Sequence, residues 1–364
     1  MHRSLKRTLR GVAVTAVVAV AVPTAGAAQE VVDLGGTSDP TLVRLIEEAL
    51  GANPSLEAAE ARIRVSRAAR TSSLLDLAPT VTAVGGYTRQ RMSGAVFPGL
   101  VGRLPDQDVW EAGVQMSWDV DLFGERRRTL SARGGLLEAA GEDVRDARVL
   151  LAAEVAGSYV RLLGAQDRLA VARSHAENQR RTLEVTQDRL GAGRGTALDP
   201  ALASAQLSST LAAIPALEAS VTAEQHRLSA LLGREPGTVV ERRAGERSAW
   251  PLPPSPASGA REAALRERPD VLAAERRLEA AGDFVGAARA AYLPRISLRG
   301  AAGYTASAFH GIGDTGTPRY AVGPVLSWPL LDIGRVRTDV DRARAERSEA
   351  EARHEYVVPQ ARAG

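Results

Sequence analysis

Few residues in this chain have the type and spacing that chemistry needs. The stretch Gly191-Ala192-Gly193-Arg194-Gly195-Thr196-Ala197-Leu198-Asp199-Pro200 offers exposed backbone donors, as phosphate-binding loops do. It follows a long helical pattern instead of a strand, and it lacks the Gly-Lys-Ser/Thr ending of a nucleotide loop. The glycines instead predict the tip of a helical hairpin, with Gly at the C-cap and Asp199 or Thr196 as N-cap. Asp119 and Asp121 are spaced like a general acid and base, which would need a cleft and a tuned pKa. They fall at a predicted strand end, where solvated acids are ordinary. The histidines His2, His175, His226, His310 and His354 show no metal-ligand spacing. No Ser, His and Asp share a nucleophile-elbow or triad context. The absence of cysteine excludes disulfides, thiolate metal sites, Cys nucleophiles and lipid attachment at a mature N-terminal Cys. The chain reads as a non-enzyme, with no cofactor and no metal.

The N-terminus concerns export. Arg3, Lys6, Arg7 and Arg10 precede an apolar run from Gly11 to Val22, then Pro23 and Ala25-Gly26-Ala27. That order is a cleavable secretory signal over residues 1–27, with Ala28 as the mature start. The apolar run is about 12 residues, short of the roughly 20 that span a bilayer. The formal charge of +3 belongs to this leader: without its four basic residues, the 46 Lys and Arg fall just below the 43 Asp and Glu. Such a balance gives no reason to expect nucleic acid as a partner. Apolar residues make up 45% of the chain but aromatics only 4%, which suits long, closely packed helices better than one globular core. No apolar run after the leader reaches transmembrane length, so any membrane span must use strands.

Those strands and helices come in two copies of one unit. Asn53-Pro54-Ser55-Leu56 and Leu77-Ala78-Pro79-Thr80-Val81 return as Arg268-Pro269-Asp270-Val271 and Leu293-Pro294-Arg295-Ile296, with the prolines at unchanged spacing. Met116-Ser117-Trp118 and Gly124 return as Leu326-Ser327-Trp328 and Gly334. The first unit, residues 28–260, is read as a helix from about Thr41 to Leu77 with a break near Pro54. Strands 81–89 and 109–120 follow, then a helical hairpin over 125–232 and a proline-rich irregular belt over 233–260. The second unit, residues 261–364, is read as a helix, strands 296–306 and 320–328, and a final helix.

Strand 109–120 alternates cleanly, with Trp110, Ala112, Val114, Met116, Trp118 and Val120 on one face. A half-buried strand of a soluble sheet alternates in the same way. Here Trp110 and Trp118 lie about 26 Å apart at about 3.3 Å per residue, the arrangement of aromatic girdles on a transmembrane barrel. Tyr304, Tyr320 and Trp328 give the second unit its membrane-interface aromatics. Four strands cannot close a barrel, since the smallest common ones need about eight, and lipid does not tolerate an open edge. Several copies must pool their strands, and three would supply twelve. The helical run from Glu125 to Leu190 would reach about 97 Å.

Several segments resemble the outer-membrane efflux protein family, the TolC-like channels, and its NodT-type branch in particular. They are Arg268-Pro269-Asp270-Val271-Leu272-Ala273-Ala274-Glu275-Arg276-Arg277-Leu278, the run from Gly286 to Leu298 ending Tyr292-Leu293-Pro294-Arg295-Ile296-Ser297-Leu298, and Ser327-Trp328-Pro329-Leu330-Leu331-Asp332-Ile333-Gly334-Arg335. In the first unit, Trp118-Asp119-Val120-Asp121-Leu122-Phe123-Gly124 and Ala230-Leu231-Leu232-Gly233 are similar too. The resemblance implies an α+β membrane protein and a homotrimer with a 12-stranded outer-membrane β-barrel, continued by a periplasmic α-barrel of long hairpins. It implies a passive exit duct in outer-membrane lipid, served by a periplasmic adaptor and an inner-membrane pump, often of the resistance–nodulation–division type. Arg189, Leu190, Gly193, Thr196, Leu198 and Asp199 occupy the family's adaptor-docking tip. The family's last hairpin, with its second tip and acidic gate, is expected to lie beyond Gly364 and so to be missing from this chain. A type I protein-secretion outlet, a non-functional truncated paralogue and a periplasmic helical scaffold are the competing readings.

Overall fold

The computed structural model describes residues 39–92, 105–237 and 264–363. The expected leader over 1–27 and most of the belt over 233–260 lie outside the described residues, as does most of the loop expected over 90–108.

A proline opens each of the first two helices. Helix α1 (Pro40–Ala52) starts behind Asp39, whose carboxylate accepts from the Thr41 and Leu42 amides. Asn53 ends α1 and begins α2 (Pro54–Leu75), where its side chain accepts from the Ser55 amide. One residue thus serves as C-cap and N-cap together, and the break expected near Pro54 is this capped joint. Strands β1 (Thr80–Gln90) and β2 (Gln107–Val120) follow, each slightly longer than the alternation predicts. Helix α3 (Glu125–Gly191) runs 67 residues, about 100 Å at 1.5 Å per residue. Helix α4 (Leu198–Leu231) returns and continues through Pro215. Then come α5 (Pro269–Ala290), β3 (Arg295–Ala306), β4 (Pro318–Ser327) and α6 (Ile333–Ala363), which runs through Pro359. Strand β4 starts two residues before its expected limit and stops before Trp328, because Pro329 lacks the donor that would extend the ladder.

The four strands form one antiparallel sheet in the order β1-β2-β3-β4. Directly paired residues share a face, so the register sorts the whole sheet at once. Val81, Ala83 and Tyr87 of β1 pair with Met116, Val114 and Trp110 of β2. Trp118 and Val120 pair with Leu298 and Ile296 of β3, and Ile296 and Ala302 pair with Leu326 and Tyr320 of β4. One continuous face is therefore apolar. Among the described residues no helix covers it: Val81 is 64% exposed, Val322 68% and Tyr320 85%. At the centre, Gly113 pairs with Gly303 on the opposite, polar face. A Cβ on Gly113 would sit 2.4 Å from the Ala302 carbonyl oxygen, and one on Gly303 2.4 Å from that of Ala112. The two strands approach at this pair more closely than any side chain permits.

The helical core lies where α1 packs on α3 and α4. Leu42, Leu45, Ile46 and Ala49 of α1 meet Leu151, Val155, Tyr159 and Leu162 of α3, and Leu228 and Leu232 close the cluster. Along α3 the buried positions Val144, Leu151, Ser158 and Ala165 recur every seven residues, the period of a coiled-coil seam. The Tyr159 hydroxyl donates to Asp39 at 3.0 Å, which ties the start of α1 to that seam. The joint of α1 and α2 is pinned by the end of α4. Asn53 Nδ2 donates to the Leu231 carbonyl at 2.8 Å, and Arg234 grips Glu48 with bonds of 2.5 and 2.6 Å. Gly233 (φ +66°) passes Ala52 so closely that a Cβ would lie 2.6 Å from its carbonyl. Among the described residues no helix is long and apolar enough to cross a membrane.

Replacing Gly113 with valine is expected to destabilise the sheet by about 1–3 kcal/mol, the range for overpacking. A lowered urea midpoint would report this. Gly323→Ala, which meets open space, should leave the midpoint unchanged.

Candidate functional site

Two surfaces carry the residues that sequence reasoning singled out: the far end of the α3–α4 hairpin and the apolar face of the sheet. At the hairpin, α3 ends in a Schellman motif. The Arg194 amide donates to the Arg189 carbonyl at 2.8 Å and the Gly193 amide to that of Leu190 at 2.9 Å. Gly193 takes φ +70°, which explains the glycine there. The N-cap expected at Asp199 or Thr196 needs correction, since α4 starts at Leu198 behind Ala197, which makes no side-chain cap bond. Asp199 lies instead inside the first turn and reaches back. Its Oδ2 accepts from the Thr196 amide at 2.9 Å and from the Thr196 hydroxyl at 3.1 Å. The bond reaches back past the N-cap to the residue before it, and the Thr196 amide holds the Asp199 carboxyl below the ordinary aspartate range. The six tip residues are thus brought together around one turn between α3 and α4, with Leu198 63% exposed and Leu190 38% exposed.

On the sheet, the aromatics sort toward the two strand ends. Trp110, Tyr304 and Tyr320 lie toward the hairpin-loop end. Tyr87, which sequence reasoning missed, stacks on Trp110 with ring centroids 4.6 Å apart, and Phe309 meets the same indole edge-on at 5.3 Å. Tyr87 was legible in the alternation of β1, but its contact depends on pairing with Trp110. Trp118 and Trp328 lie toward the helical end. The Trp118 indole N–H donates to the Leu77 carbonyl at 2.9 Å, and that of Trp328 to the Tyr292 carbonyl at 3.0 Å. Each acceptor stands two residues before the proline that leads into a strand, Pro79 or Pro294.

Where the sheet meets the helices, the carboxylates Asp119 and Asp121 are fully engaged. Asp119 accepts from the Ser297 hydroxyl at 2.6 Å and is bonded to the Arg126 guanidinium. Asp121 accepts from the Arg126 and Arg127 amides at 3.1 and 2.9 Å. It thereby caps α3, whose N-cap Gly124 has no side chain to do so. Burial raises the Asp121 carboxyl, but those amides and the Arg127 guanidinium outweigh it and hold the group below its ordinary value. Neither carboxylate is free to shuttle protons. Among the described residues no three His, Cys, Asp or Glu side chains converge as metal ligands.

This combination of a four-stranded sheet, uncovered on one side, with a helical hairpin about 100 Å long has known relatives. The family model described as "Outer membrane efflux protein" matches residues 45–234 and 260–363. The chain belongs to this family. It is 32% identical over 332 residues to outer membrane protein OprJ of Pseudomonas aeruginosa, covering 88% of this chain and 66% of that protein. It is 30% identical over 318 residues to nodulation protein T of Rhizobium leguminosarum bv. trifolii, covering 85% and 65%. The solved outer-membrane channel OprN superposes with a TM-score of 0.78 at 36% identity, over 89% of this chain and 72% of that one. The chain thus spans just under two thirds of the length of these two curated relatives. As an outer membrane efflux protein it shares with its structural neighbours a mostly helical fold with a small sheet, and the family is one of channels.

The Asp199 tie yields a pH test. The carboxyl is lowered in the folded chain, so the tie is complete at neutral pH and is lost as pH falls through the lowered value. With selective threonine labelling, the Thr196 amide resonance should titrate with a midpoint below that of an exposed aspartate. Asp199→Asn should abolish the transition.

Proposed function

We propose that this chain is the outer-membrane channel subunit of a tripartite efflux system, in which three copies form a passive exit duct for small molecules. The observation that carries this reading is the apolar sheet face whose edges, β1 and β4, are unpaired among the described residues. An open edge in hydrocarbon leaves backbone donors and acceptors unsatisfied, at several kcal/mol each, so the sheet must be completed by other strands. Three copies give twelve strands, each sheet's β4 edge meeting the next copy's β1. The apolar face then turns to lipid and the polar face lines the lumen. The aromatics Trp110, Tyr304 and Tyr320 mark one membrane interface, Trp118 and Trp328 the other.

The hairpins ask for the same partners. Along the outer half of α3 and along α4, Val171, Val185, Leu198 and Leu202 are each more than half exposed. Such a row of apolar residues is costly in water and becomes a seam when hairpins stand side by side as a periplasmic α-barrel. The two units, residues 28–260 and 261–364, contribute equivalent strand pairs, and the matching indole-to-carbonyl bonds support reading them as a repeat. At the far end, Arg189, Leu190, Gly193, Thr196, Leu198 and Asp199 form the surface on which a periplasmic adaptor docks. That adaptor couples the duct to an inner-membrane pump, most simply one of the resistance–nodulation–division type. The relatives' names, efflux pump and export components among them, support this assignment.

Fractionation tests the reading directly. The protein should be found in outer membranes as a trimer that migrates as such in detergent without heating and as a monomer after boiling. A monomer confined to the soluble periplasm would refute it. Because the chain has no cysteine, a single Leu190→Cys variant gives one crosslinking site. It should capture the adaptor in cells, whereas a cysteine at Gly323, on the lumen face, should not.

A further inference from the structure

The polar face of the sheet carries five charged side chains, and four of them are neutralised within the chain. Glu111 pairs with Arg319 at 3.0 Å. Asp119 is bonded to Arg126, and Arg295 pairs with Glu125 at 2.7 Å. Arg299 is the exception. Among the described residues it has no ion pair and no hydrogen bond, and it is exposed at mid-strand.

Its surroundings are small and polar. Ser117 and Gly323 stand directly opposite it on the neighbouring strands, and Thr80 stands beyond Ser117. Together with Thr82 and Gln115 these residues line an open hollow on the lumen side. The hollow offers a guanidinium fork flanked by hydroxyl and amide donors, with no carboxylate. A neighbouring copy would not supply one either. The strand placed beside β4 would be that copy's β1, whose polar face carries Thr80, Thr82, Val84, Gly86, Thr88 and Gln90 and no acid.

We infer that Arg299 is a selectivity residue of the duct, forming a ring of uncompensated positive charge that favours solutes bearing a fixed negative charge. This rests on the trimeric duct proposed above. A ring of arginines in a pore wall attracts anions and repels cations, and the guanidinium fork recognises carboxylate and phosphate oxygens in a bidentate way. Since its neighbours are small, a permeating anion can reach the fork without displacing a partner. The positive charge acts over about 10 Å at 0.1 M salt, so the ring's field reaches well into the lumen.

The test is ion selectivity of the full-length chain in planar bilayers of neutral lipid under a potassium chloride gradient. Wild-type pores should show a reversal potential of anion-selective sign. In Arg299→Gln the chloride-to-potassium permeability ratio should fall by about twofold or more. In Arg299→Glu the sign should invert, and Arg299→Lys should keep wild-type selectivity, which separates charge from any folding defect. Pores of normal conductance whose reversal potential ignores residue 299 would overturn this inference alone. A wild-type chain that forms no pores would overturn the duct reading and this inference with it.

Discussion

The pairing of β2 with β3 is the constraint on which the rest of the molecule depends. These strands are far apart in sequence, since Asp119 and Ser297, hydrogen-bonded at one end of the pair, are 178 residues apart. Everything between them must leave the sheet and return to its edge. The α3–α4 hairpin does this by going out and back in two helices, so the chain closes a very long loop while keeping its ends together. Closure entropy grows only slowly with loop length, which makes such a detour thermodynamically tolerable. The Gly113–Gly303 contact then sets the register, because no other residue fits where the two backbones meet. With that register in place, the large apolar side chains Trp110, Met116, Trp118, Leu298, Tyr304, Tyr320 and Leu326 fall on one face.

The second requirement is a fixed angle between sheet and helices, met by local bonds at three levels. The Trp118 and Trp328 indoles clamp the turns that lead into β1 and β3. Asp119, Asp121, Arg126 and Glu125 knit the start of α3 to β3. Further along, Asn53 caps two helices and also donates to the end of α4. Asn53 and Arg126 each satisfy a backbone group left open at a helix end and hold a tertiary contact with the same side chain. Exposed ion pairs of this kind contribute little each, so their value lies in geometry more than in stability. The long hairpin acts as a lever, and a small change in angle at its base would move the tip by many ångströms.

The chain also shows how far an isolated protomer is from a closed structure. The core around Leu45, Val155 and Leu228 is fully buried, whereas the sheet face and the outer hairpin expose apolar side chains. The described residues bury two hydrophobic clusters and leave two apolar surfaces open. In the proposed duct, the same pattern would serve lipid on one surface and sister copies on the other.

Much of this was legible in the residues themselves. Proline and capping signals marked the helix ends, and the alternation in Trp110 to Val120 marked β2 and its apolar face. The long helical run from Glu125 to Leu190 marked α3. These are local signals, set by backbone donors, side-chain period and the chain's own turn chemistry, so a sequence determines them without reference to anything distant. Other features were not legible. Tyr87 meeting Trp110, the absence of room at Gly113 and the isolation of Arg299 all depend on which strand lies beside which. A lone arginine on an alternating strand looks the same whether or not an acid faces it. Only the register decides, because pairing across the sheet is a contact between residues whose separation along the chain carries no local signature.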